Sequence, residues 1–251
     1  MMRKRFWAAV VFALLICARP AGAIVPGQTD DFQDGTTINW GNGGVIGVVP
    51  VTNIDTGGPA GAGDHYIQVT ADGSGVGGRL TCFNRDQWLG DYVGGGVTSI
   101  EVDLLNQSAV NLSIRLAFKT GPGNGVQGYL SLPMPLAVGS GWQHFTISLA
   151  PADLIPIGGP APWQTFFIGE VRFIHEVGAT DLNGTNVVGQ LGIDNIHAVP
   201  EPTTTMLVSG GLLALTAGLV RRKQLRNSFR RKRRFLILDR GAIVFLDRLW
   251  H

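Results

Sequence analysis

The stretch "VTSIEVDLL", Val97–Leu105, sets Thr98, Ile100, Val102 and Leu104 against Ser99, Glu101 and Asp103. A period of two turns one set of side chains to one face of an extended chain, the pattern of a strand with one buried side. "NLSIRLAF" (111–118) repeats it with Leu112, Ile114, Leu116 and Phe118. "WQHFTISL" (142–149) carries Trp142, Phe145, Ile147 and Leu149 at mostly the same spacing. "GEVRFIHE" (169–176) and "QLGIDNIHAV" (190–199) are similar. Between such runs stand "DTGGPAGAGD", "ADGSGVGG", "KTGPGNG" and "PIGGPAP", clusters that supply positive φ and preset Pro angles for turns. Only "PADLI" hints at a helical turn, with Pro151 suited to its first position. About ten short strands separated by turns predict an all-β fold over residues 24–199, an antiparallel jelly-roll β-sandwich of two packed sheets.

The chain has 251 residues and a formal net charge of +2, but the charge is segregated. Residues 24–200 hold five Lys/Arg (Arg79, Arg85, Arg115, Lys119, Arg172) against 15 Asp/Glu. A body this acidic argues against nucleic acid as a partner, since that needs a basic patch on the folded domain. It leaves carboxylates for a hard cation such as calcium.

The two ends read as targeting segments. "MMRKR", the apolar "FWAAVVFALLICA" and "AGA" (21–23) form a signal peptide over 1–23, with cleavage expected after Ala23. A lipoprotein signal using Cys17 is the alternative, against which bulky Ile16 counts. With Cys17 in the signal, Cys82 is alone in the mature chain and is expected to be a buried apolar side chain on a strand. Near the other end, residues 203–220 carry no charge, about the minimum run for a membrane-spanning helix. Arg221, Arg222 and Lys223 follow as a cytoplasmic stop, so the domain faces away from the cytoplasm.

"VPEP", the apolar run and "RRK" together resemble the PEP-CTERM sorting signal of Gram-negative bacteria. The resemblance implies Sec export, transient anchoring in the inner membrane, recognition by an exosortase-type membrane protease, and release to the cell surface or extracellular matrix. Carried over, the sorting motif over 200–223 is Pro200, Glu201 and Pro202 with Arg221, Arg222 and Lys223. Pro fixes φ and disfavours helix, which keeps the motif extended for a protease. The chain departs from that pattern in residues 224–251, a basic cytoplasmic tail in which "RRKRR" is suited to an anionic membrane surface. A shifted or over-extended reading frame explains the tail as well as a function does.

"DDFQDGTTINW" and "GQLGIDNIHAVPEP" resemble the opening and closing strands of jelly-roll, carbohydrate-binding domains, and "GGRLTCFNRDQWLGDYVGGGVTSIEVDLL" resembles laminin IV-type modules. The resemblance implies a structural calcium tying first strand to last, held here by Asp31, Gln33, Asp34 and Asp194. Trp88 and Tyr92 stand in a loop and are the candidates for stacking on a sugar ring, while Trp40, Trp142 and Trp163 are expected in the core. HExxH and G-x-S-x-G are absent, and "DGSGVGG" lacks the helix a phosphate cradle needs. His144 and His175 are expected to be structural. The expectation is an exported, non-catalytic surface or matrix protein that binds exopolysaccharide. The alternative is a polysaccharide-active hydrolase or lyase on the same fold.

Overall fold

A computed structural model describes residues 24–42, 48–74, 78–122 and 127–202. The signal peptide (1–23), the span at 203–220, Arg221, Arg222, Lys223 and the tail lie outside the described residues. Among the described residues no helix is long and apolar enough to cross a membrane.

The described strands are β1 (Thr29–Asp30), β2 (Thr52–Ile54), β3 (Tyr66–Asp72), β4 (Thr81–Asn84), β5 (Val97–Asn106), β6 (Leu112–Lys119), β7 (Gly128–Ser131), β8 (Met134–Leu136), β9 (Trp142–Ser148), β10 (Leu154–Ile157), β11 (Glu170–His175) and β12 (Val188–Pro200). They form two antiparallel sheets. The first runs β2-β3-β12-β5-β9, with β1 also on β12; the second runs β10-β7-β6-β11-β4, with β8 also on β6. Ile100, Val102 and Leu104 of β5 meet Leu112, Ile114, Leu116 and Phe118 of β6 in one core between the sheets, as the alternation predicts. Cys82 is buried there, and burial pushes its thiol far above the usual range. Pro151–Asp153 forms a 3-10 turn with Pro in its first turn.

β12 is the central strand of the first sheet, paired with β3 on one side and β5 on the other. Its register against β5 shifts between Asp194 and His197. This bulge lets Ile193 and Ile196, an odd number of residues apart, both enter the core. Asn195 makes the bulge by taking φ +50°, a left-handed conformation that Asn adopts more readily than other side chains. The sheet continues into the Pro-Glu-Pro triplet. Pro200 pairs with Val97, and the Glu201 N–H donates to the Gly96 carbonyl (2.8 Å).

The outer face of the second sheet is not open. Residues 176–187, joining β11 to β12, lie on it, and Leu182 packs with Ala117, Leu130 and Ile174 in a second apolar cluster.

Asn195→Gly and Asn195→Val both remove the side-chain amide, but only Val resists positive φ. The Gly variant is expected to be the more stable by about 1–2 kcal/mol in denaturant melts. Equal stability of the two would contradict the bulge's dependence on that conformation.

Candidate functional site

Trp88 and Tyr92 do not reach the surface. Each is 1% exposed. The physical reason is Asp30 on β1, whose carboxylate accepts from Trp40 Nε1 (2.7 Å), Trp88 Nε1 (2.6 Å) and Gln87 Nε2 (3.0 Å). Tyr92 opens a four-residue helix, α1 (Tyr92–Gly95), capped by Asp91; its Oη donates to the Trp88 carbonyl and its ring packs edge-on against Phe118 (5.6 Å). Both expected sugar-stacking residues are therefore core residues. Trp40 and Trp163 are buried as expected.

Trp142 is the residue placed wrongly in the other direction. It stands an odd number of positions from Phe145, Ile147 and Leu149, and shares the outer face of the first sheet with His144 and Thr146. The register aligns Trp142 of β9 with Leu105 of β5, and Leu105 with Gly192 of β12. A Cβ on Gly192 would lie 3.0 Å from Trp142 Cη2 and 3.2 Å from both Leu105 Cβ and Tyr66 Cε2. The missing side chain thus lets the indole reach across β5 and meet Tyr66 edge-on, with centroids 5.2 Å apart. Trp142 Nε1 donates to the Gly57 carbonyl (2.9 Å), which fixes the far end of the ring. The result is a half-buried aromatic plate lying along an open sheet face.

Polar groups flank it. Gln68 Nε2 donates to Gln107 Oε1 (2.8 Å), and Gln107 Nε2 to Tyr66 Oη (3.1 Å). Gln190 contacts Thr70 Oγ1 (3.4 Å). Asp103 accepts from Asn195 Nδ2 (2.9 Å) and pairs with His144 (2.9 Å). His144 is thus a solvent-facing partner of Asp103. His175 is buried, its Nδ1 accepting from the Ser113 N–H (3.1 Å). An aromatic surface bordered by amides and carboxylates offers a dispersion contact together with donors and acceptors for hydroxyls.

The expected calcium ligands separate into two groups. Asp194 is fully buried, and its carboxylate takes hydrogen bonds from its neighbour, Asn195 (2.7 Å from the N–H). Burial first, then the fields of Asp64, Asp103 and Asp31, push it up to about 7. Asp64 and Asp103 come from other parts of the chain and carried no signal in sequence. Gln33 Nε2 lies among three oxygens, Asp64 Oδ1 (2.8 Å), the Asp31 carbonyl (3.2 Å) and the His65 carbonyl (3.5 Å). Asp34 is turned to its own loop, where the Thr36 N–H and hydroxyl hold it below the usual carboxylate range. Among the described residues no three His, Cys, Asp or Glu side chains are gathered as a metal cage. A cation there would need carbonyl oxygens as well.

No protein-family model matches the chain, and no curated protein matches it. Among solved structures it is similar to a family 11 carbohydrate-binding module from Clostridium thermocellum in complex with a β-1,3-1,4-mixed-linked tetrasaccharide (15% identity over 70% of this chain and 97% of that one, TM-score 0.44). It is also similar to the CBM22-1 xylan-binding domain from Paenibacillus barcinonensis (12%, 71% and 99%, TM-score 0.45). A third is CBM27-1 of Caldicellulosiruptor saccharolyticus in complex with mannohexaose (14%, 70% and 98%, TM-score 0.39). The two-sheet architecture rests on the strand pairing itself.

The folded carboxyl of Asp194 holds its proton to higher pH than the 3.8 of an unperturbed Asp, so its ionisation costs stability as pH rises from about 4 to about 7. Asp194→Asn is expected to gain stability relative to wild type across that window in cation-free buffer, with the gain levelling off above it. A wild-type-minus-variant difference that is flat in pH would contradict the burial of this charge.

Proposed function

We propose that the chain is an exported, non-catalytic surface or matrix protein whose sandwich binds polysaccharide on the outer face of its first sheet. The observation that carries this reading is the Trp142 plate across Gly192, flanked by Gln68, Gln107 and Gln190. A pyranose ring has an apolar C–H face that fits an indole and equatorial hydroxyls that fit side-chain amides. Glu101 and Asp103 share that face, but they pair with His197 and His144, so the face is not read as an acid/base pair across a cleft. The enzyme alternative remains checkable in the same incubations by assaying new reducing ends.

In this reading the C-terminal signal delivers the domain: Sec export, inner-membrane anchoring by 203–220, and exosortase-type processing near Pro200, Glu201 and Pro202. Mass spectrometry of the exported protein tests it, with a C-terminus before Arg221 expected and one beyond Lys223 contrary. Calcium, if bound, would be held by Asp194, Asp31, Asp64 and Gln33 through its amide oxygen, tying β1's loop to β12. It would supply the positive charge that Asp194 lacks. Millimolar calcium is then expected to raise the melting temperature of wild type but not of Asp194→Asn.

Binding to the host's own exopolysaccharide by affinity electrophoresis is the direct test. Trp142→Ala is expected to weaken it about tenfold or more, on the order of 1.4 kcal/mol, while Trp142→Phe retains most of it. Retention unchanged by Trp142→Ala would remove this face as the site.

A further inference from the structure

The sheet edges among the described residues are mostly blunted. β1 and β2 are two and three residues long. β8 and β10 carry Pro135 and Pro156. The outer side of β4 is taken by Gly41, which exchanges backbone hydrogen bonds with Phe83 (2.7 and 2.9 Å). Short strands, prolines and covering segments keep a sheet edge from pairing with another chain. β9 has none of these devices. It is seven residues long, pairs with β5 alone among the described strands, and keeps one register from Trp142 to Ser148.

One bond fixes the direction of its free backbone groups. The Leu149 N–H donates to the Thr98 carbonyl (3.0 Å), in step with the pairing of Ser148 and Ser99. In an antiparallel pair such bonds recur at every second residue. Gln143, Phe145 and Ile147 therefore turn their N–H and C=O groups to β5, and His144, Thr146 and Ser148 turn theirs outward. His144 and Thr146 are exposed. A groove of about 210 Å³ adjoins the strand, lined by Leu132, Met134, Phe145 and Asp153 among others, and Leu132 is 53% exposed.

The strand is its own complement about Thr146. Laid antiparallel on a second copy with Thr146 opposite Thr146, it sets His144 opposite the partner's Ser148 and Phe145 opposite the partner's Ile147. Polar residues then meet on the outer face and apolar ones on the other, and each outward N–H meets an outward C=O of the facing strand. The domain is acidic, which keeps copies apart, but the strand itself holds no Lys, Arg, Asp or Glu. Like charges therefore do not face each other across this pairing.

We propose that β9 is a homodimerisation edge, where two copies related by a two-fold axis at Thr146 join their first sheets into one continuous sheet. The partner is a second copy of this chain. Such a dimer would carry the Trp142 of both copies on one outer surface, but the pairing does not rest on the polysaccharide reading and can fail or hold without it.

The test is analytical ultracentrifugation of the purified exported protein over a concentration series, with a dimer expected. Thr146→Pro removes an outward N–H and none of the bonds to β5, as proline does when tolerated on an edge strand. It is expected to weaken the dimer at least tenfold, while Thr146→Val, which keeps the N–H, leaves it. Should the Pro variant not fold, Thr146→Cys decides. A short bismaleimide is expected to link it into a covalent dimer, because the facing Cα atoms lie about 5.5 Å apart. Gln143→Cys is expected not to link, its copies being about 20 Å apart along the strands. Amide exchange at His144, Thr146 and Ser148 is expected to slow as concentration rises. A monomer at every concentration, a dimer that Thr146→Pro leaves intact, or linking of Gln143→Cys as readily as Thr146→Cys would overturn the proposal. So would protection of these amides that is independent of concentration, which would mean that another segment of the same chain covers the edge.

Discussion

Asp30 is the interaction on which the arrangement depends. Its carboxylate is buried against β12 and receives two indole N–H groups and one amide N–H, from Trp40, Trp88 and Gln87. Those donors come from two separate loops, so a single acceptor closes one end of the core. Burial raises the Asp30 carboxyl above its ordinary range despite the three donors, which means that the aromatic cage is held at an electrostatic cost. Trp40 in turn packs on Trp88 (6.0 Å) and Phe173 (5.4 Å), linking β1 of the first sheet to β11 of the second. The wall thus locked leaves the two outer sheet faces to differ in chemistry.

They differ sharply. The first sheet's outer face carries aromatic, amide and acidic groups and no Lys or Arg; the second carries the domain's cations, with Arg115, Lys119 and Arg172 buried and Arg79 and Arg85 exposed beside β4. Both faces rest on the same inner core, so each strand bears one face's chemistry outward and the shared apolar row inward. The Gly at position 192 and the bulge at Asn195 are the local devices that shape the first sheet: one makes room for the indole, the other keeps both Ile193 and Ile196 in the core.

The strands were legible because alternation is a local property. β5 and β6 fall where Ile100, Val102, Leu104 and Leu112–Phe118 predict them, and the turn clusters fall between strands. The place of Trp142 was also in the sequence: an odd offset from Phe145 sets it on the opposite face, against Ile147 and Leu149. Trp88 was not legible, since its partner lies 58 residues away, and a loop without alternation gives no sign of burial. Asp64 and Asp103 near Asp194 are likewise products of non-local pairing.

The proposed recognition of polysaccharide rests on the outer face of the first sheet, where Trp142 is half-buried. Amide and side-chain chemical shifts of the labelled protein, followed by NMR as neutral fragments of the host's exopolysaccharide are added, test it most directly. The account predicts perturbations concentrated at Tyr66, Gln68, Gln107, Trp142 and Gln190. Saturable binding that shifts none of these, or only residues of the second sheet, would contradict it.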